Sequence, residues 1–170
     1  DLVGAFARNV MIVRSQAEGL SHEESMLQLP FRGNCLNWVI GHITISRDDV
    51  LELLGQPPLA EPAMLERYRR GSEPIDGAGA PGALPLAELL AKLDQTQEHL
   101  AAALAPLGDA DMQRPVTIGE RTSTLGQFIH LFPHRQHEWR ESGEKVEPTA
   151  DEQGRCEPNA FDQEAPDHCA

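Results

Sequence analysis

Six leucines at helical spacing constrain this chain more than any other feature. In "PLAELLAKLDQTQEHLAAALA" (85–105) Leu86, Leu89, Leu90, Leu93, Leu100 and Leu104 fall on one stripe, and Pro85 suits a first turn. Two other stretches carry the same period. Over residues 1–19, Leu2, Phe6, Val10, Val13 and Ala17 share a face and Gly19 is a stop. Over 34–54, "NCLNWVIGHITISRDDVLELL", Asn34 suits the N-cap, and Gly55 followed by Pro57-Pro58 ends the run. A fourth helix is expected to start near Ser123, in "STLGQFIHLFPHRQHEWRE". Strand signals are weak throughout, so the fold class expected is all-α.

The connection between the second and third of these helices is long, about 56–84, and rich in Pro, Gly and Ala. It reads as a loop with one short helix at "PAMLERYRR". Short links elsewhere and one long crossover suit a four-helix bundle. With 170 residues the chain can bury a core, and 40% hydrophobic residues is ordinary for a soluble domain. The domain expected is 1–143. Residues 144–170 are acidic, carry prolines and offer Phe161 as their one aromatic, so they are expected to be a disordered tail.

The net charge of −13 argues against a nucleic-acid partner. More than half of it falls in 141–170, which hold nine acids against two bases. No apolar run approaches the roughly 20 residues of a membrane helix. Cys35, Cys156 and Cys169 are an odd count without a CxxC pair, and the expected compartment is the cytoplasm.

Chemistry concentrates in "GQFIHLFPHRQHEW" (126–139), which holds His130, His134 and His137. His130 and His134 are one helical turn apart, so both rings can reach one ion. Zinc and nickel accept neutral imidazole nitrogen. Two ligands are too few. The best third is His42, in an otherwise apolar segment where Trp38, His42, Ile45 and Asp49 share a face. Three histidines from two helices would leave a coordination position open for a water or thiol nucleophile. On spacing alone the alternative stands: HxxxH is common by chance, and a lone buried histidine is usually a hydrogen-bonded core residue. His22 is expected near a helix start, and His99 and His137 in solvent. Cys35 reads as a small buried apolar residue, and no G-x-S-x-G turn supports a serine nucleophile.

The segment around Asn34, Asn37, Trp38, Gly41, His42 and Ile43 resembles the N-x-x-W-x-x-G-H-I helix of the DinB-like family of metal-binding four-helix bundles. "YRRGSEP" (68–74) resembles the connection after that helix, and "TSTLGQFIHLFPH" the start of the last one. The likeness covers about residues 1–134. It implies that His42, His130 and His134 hold a divalent metal ion, zinc or nickel. It also implies a thiol-dependent transferase or a metal-dependent hydrolase acting on a small electrophile. The alternative is a non-catalytic stress-related module whose metal site is incomplete or structural. The partners expected are a small-molecule substrate and a low-molecular-weight thiol, with no nucleic acid and no membrane, and a homodimer is left open. No catalytic side chain is singled out. Arg135-Gln136-His137 departs from the family's x-G-Q, and Pro133 falls between two ligands, where it would kink a helix. A reading-frame shift near 131–133 would account for both departures and for the tail.

Overall fold

The structure is a computed structural model that describes residues 2–28, 33–75, 77 and 79–130. It is mostly helical, as expected. Three long helices dominate: α1 (Leu2–Ala17), α3 (Leu36–Leu53) and α5 (Leu86–Leu104). Shorter ones are α2 (His22–Ser25), α4 (Pro62–Tyr68) and α6 (Asp109–Met112). Residues 125–130 are also helical. Whatever follows them, including His134, His137, Pro133, Cys156, Cys169 and the tail read as disordered, lies outside the described residues.

The leucine stripe does what its spacing requires. Leu86, Leu89, Leu93, Leu100 and Leu104 are buried, with Thr96 continuing the row, while Leu90 is half-buried. On α1 the buried residues are Phe6, Val10, Val13 and Ala17. Gly19 and Gly55 adopt positive φ of 75°, a region that costs a side chain energy, and so end α1 and α3 where glycine permits.

Burial divides into two apolar clusters. One joins Val10, Val13 and Ala17 to Trp38, Ile40, Ile43, Leu86, Leu89 and Leu93. The other joins Phe6 to Val50, Leu51, Leu100, Leu104, Leu125 and Ile129. Along α3 and α5 the first cluster comes before the second, and along α1 the order reverses. Helices α3 and α5 therefore run parallel and α1 antiparallel to both. Parallel neighbours cannot be joined by a short turn, which is why residues 54–85 must travel back along the length of these helices.

That crossover is tied down at several points. The buried Asp48 carboxylate accepts the backbone N–H groups of Leu59 and Ala60 at 3.1 and 2.7 Å. Further on, Asn37 Nδ2 donates to Leu84 O at 2.9 Å, and Leu84 N–H donates to the Tyr68 hydroxyl at 2.8 Å.

Three sequence expectations need correction. The N-cap of α3 is Cys35, one residue after Asn34, and Pro85 is the N-cap of α5, just ahead of its first turn. Strands are present: β1 (Pro115–Ile118) and β2 (Arg121–Thr124) pair antiparallel, Val116 opposite Ser123, with Gly119 at φ 58° in the turn. The β-branched residues Val116, Thr117, Ile118, Thr122 and Thr124 favour this hairpin locally. It takes up Ser123, so the helical segment starts at residue 125.

Candidate functional site

Eleven of the eighteen residues of α3 are buried. Of the others, Val39, His42, Ser46, Asp49 and Leu53 fall within an arc of about 80° at 100° per residue. The helix thus presents one partly open stripe, and its polar members are His42, Ser46 and Asp49. His42 is half-buried there, at the edge of the core rather than inside it.

The orientation of His42 is set by its neighbours. Its Nδ1 lies 2.8 Å from the Tyr68 carbonyl oxygen. A carbonyl can only accept, so Nδ1 carries the hydrogen and Nε2 of the neutral ring carries the lone pair. The ring stacks on Trp38 with centroids 4.7 Å apart and planes 10° from parallel. Trp38 in turn donates from Nε1 to Ser72 Oγ at 2.9 Å. Burial holds the His42 pKa below its ordinary value; the Tyr68 carbonyl opposes this and the Arg70 charge adds to it. The imidazole is therefore neutral at neutral pH, the form a metal ligand needs.

Gly41 explains how Tyr68 can come so close. A Cβ at this position would collide with the Tyr68 ring. The phenol lies on the bare backbone of α3 and donates from its hydroxyl to Asn37 Oδ1 at 3.0 Å. Burial pushes the Tyr68 pKa up, so the hydroxyl keeps its proton as a donor. Asn37, Trp38, Gly41 and His42 on α3, with Tyr68 at the end of α4 and Ser72 beyond it, make one connected network. Sequence reading found the α3 residues as a motif but assigned no part to Tyr68 or Ser72. Their signal was the quoted "YRRGSEP", which carries no metal-ligand chemistry of its own.

Asp49 lies seven residues from His42 on the same stripe, about 10.5 Å along the helix axis. Its carboxyl is raised to about 6 by burial, with Glu52 and Asp48 adding repulsion. The residue as a whole reaches solvent, so this burial is partial. His130 is exposed, at the end of the helical residues 125–130. His42 and His130 are thus placed on separate helical segments, and His134 is outside the described residues. Among the described residues no group of three or more His, Cys, Asp or Glu side chains is arranged to hold a metal ion. His22 begins α2 and His99 is exposed, as expected, and Cys35 is a buried free thiol. No described helix is long and apolar enough to cross a membrane.

A small indentation between α3, α5 and the crossover is lined by Thr44, Leu59, Ala60, Met64, Lys92, Gln95 and Thr96. It lies apart from the His42 stripe. Comparison with known families gives one match, to the DinB superfamily over residues 5–141. That span takes in both the α3 motif and the histidine-rich segment, and it runs past residue 134, where the motif resemblance ended. Comparison with curated proteins gave no match.

Proposed function

The chain belongs to the DinB superfamily, and from that premise we propose that it binds a divalent metal ion through His42, His130 and His134. The activity proposed is transfer of a low-molecular-weight thiol, or of water, to a small electrophile. The observation that carries the reading is the state of His42. Its Nδ1–H is committed to the Tyr68 carbonyl, so Nε2 is the ring nitrogen that carries the lone pair a metal ion needs. A backbone carbonyl on the far ring nitrogen is the usual way a ligating histidine is held in one tautomer. Trp38 prevents the ring from turning, and partial burial keeps it unprotonated. Zinc or nickel bound there would lower the pKa of a coordinated thiol or water to near neutrality.

The test is metal content of the full chain purified without chelator, then stripped and reloaded. About one zinc or nickel ion per chain is expected in the wild type, with loss in His42→Ala, His130→Ala and His134→Ala. A wild type that takes up no ion overturns the reading. Metal-loaded protein should then conjugate thiols to a small electrophile, and stripped protein should not. Pro133, between His130 and His134, favours a second reading, a non-catalytic module whose metal site is incomplete. Stable metal binding without any conjugation or hydrolysis would support it.

A further inference from the structure

We propose that the outward face of α1 is a self-association surface, on which two copies of this chain pair antiparallel through Met11 and Ile12, with Arg8 of each facing Glu18 of the other. The inward face of α1 is already filled by Phe6, Val10, Val13 and Ala17. Opposite that stripe, at 100° per residue, stand Arg8, Met11, Ile12 and Ser15, all exposed. Met11 is 66% and Ile12 51% exposed. Among the described residues they are the only two large exposed hydrophobic side chains that adjoin on one helix. Covering them with a second surface removes apolar area from water.

The charges point to a second copy as the occupant. A chain of net charge −13 repels its own copies over most of its surface. Helix α1 is an exception, since its sixteen residues hold Arg8 and Arg14 and no acid. Arg14 is taken by Asp94 on α5. Arg8 makes no salt bridge among the described residues, and neither does Glu18, the residue after the helix ends. Their places match a two-fold axis. Position 13 is midway between them, so Arg8 and Glu18 lie about 7–8 Å along the helix on either side of it. Viewed down the helix from Ser15, Arg8 falls about 20° to one side and Glu18 about 60° to the other. A two-fold axis through the middle of the face reverses both the direction and the side. It therefore sets Arg8 of one copy opposite Glu18 of the other, twice, and encloses Met11 and Ile12 between the two pairs. An acid at a helix C-terminus is poorly placed against the dipole, and antiparallel packing offers Glu18 a cation instead.

The test is sedimentation equilibrium of the full chain over a range of concentrations, under reducing conditions and at one ionic strength. The wild type should dimerise with a Kd of about 10–100 μM, as suits an interface of one helix face. Ile12→Asp should raise that Kd by about tenfold or more, because a charge replaces the centre of the contact. Met11→Glu repeats the test from the other side of the face. Arg8→Glu and Glu18→Arg should each raise the Kd by about five- to tenfold, since each turns both symmetric pairs repulsive. The double variant Arg8→Glu with Glu18→Arg re-forms the pairs with their signs exchanged and should return to within about threefold of wild type.

Glu18→Arg discriminates most. It moves the net charge two units toward zero, so if overall repulsion alone governed association this variant would dimerise more tightly than wild type. The antiparallel pairing demands the reverse. All four positions are exposed, so the variants should keep the wild-type Tm, which circular dichroism melts check. A wild type that stays monomeric at the highest concentration reached overturns the proposal and leaves this face to another kind of partner. A dimer indifferent to both Ile12→Asp and Met11→Glu places the contact elsewhere and overturns it too. So does a Glu18→Arg variant that associates more tightly, or a double variant no stronger than the single ones.

Discussion

His42 and Arg47 stand five residues apart on α3, and the fold treats them in opposite ways. His42 sits on the partly open stripe, gripped by a carbonyl and stacked on an indole. Arg47 is 1% exposed, between the two apolar clusters. Its terminal nitrogens donate to Phe6 O at 2.9 Å and Gln97 Oε1 at 3.2 Å, and its carbon lies 5.5 Å from the centre of the Phe6 ring. Its Nε has no hydrogen-bond partner among the described residues. Burial lowers its pKa to about 10, against the pull of Asp94, so the group remains charged at neutral pH. The difference separates two uses of a polar side chain. At His42 the surroundings select one tautomer, with the lone pair on Nε2. At Arg47 they join α3 to α1 and α5 through a cation that is only partly compensated.

Substitutions at three positions test that separation. The largest effect is expected at Arg47. Arg47→Ala should destabilise the fold by about 3 kcal/mol, because a cavity is added to the lost contacts. Arg47→Met keeps the volume without a charge to desolvate and should remain within about 1 kcal/mol of wild type. Urea denaturation of both variants checks this. Equal losses would mean that the hydrogen bonds to Phe6 and Gln97 outweigh burial of the guanidinium, and the contrast with His42 would weaken.

Next comes Gly41→Ala. The added methyl has no room against the Tyr68 ring, and overpacking of this kind costs about 1–3 kcal/mol. It should also displace the Tyr68 carbonyl from Nδ1. The His42 pKa, read from the ring protons, is the informative measurement. Its wild-type value should lie below 6.5, the ordinary value, because the folded state disfavours the proton. Since the unfolded chain then binds more protons, stability is highest above that ordinary value and declines as pH falls below it toward the folded value. In Gly41→Ala the decline should change along with the pKa. An unchanged titration would show that the carbonyl does not orient the ring.

The smallest effect is expected at Asp49. A carboxyl raised to about 6 from 3.8 is disfavoured in its charged form by folding. The penalty is absent below the unfolded value and present above about 6. Asp49→Asn should therefore raise the Tm by about 1–2 °C at pH 7.5, an effect kept small by solvent screening, and by nothing at pH 3.5. A lower Tm at pH 7.5 would reveal an ionised Asp49 that is held by a favourable partner.

Helical period and stops were legible because they depend on local chemistry. Leu86 to Leu104 declared α5, and Gly19 and Gly55 closed α1 and α3. The long crossover was legible from composition and turned out to be required by the parallel course of α3 and α5. The hairpin at 115–124 escaped because its strands are four residues long and bury little, leaving no alternation to read. His42 was picked out as a polar residue in an apolar run. What fixes it was not legible, since the partner is the main-chain oxygen of Tyr68, and any residue at that position supplies one. Arg47 escaped for a related reason. An arginine beside Asp48 and Asp49 reads as a solvated charge, and only packing reveals that it faces inward.

The bond from His42 to a main-chain oxygen also bears on how the protein tolerates mutation. A carboxylate partner could be deleted by one codon change, whereas a carbonyl persists through every substitution at position 68. The vulnerability is moved elsewhere, to whatever holds the chain path beside α3. Position 41 becomes the sensitive one, and it is coupled to 68: a larger residue at 41 can be accommodated only if the tyrosine gives way to something smaller. In a library randomised at both sites, functional clones should keep glycine with tyrosine or exchange the pair together. Substitutions at 68 alone should cost packing before they cost the tautomer.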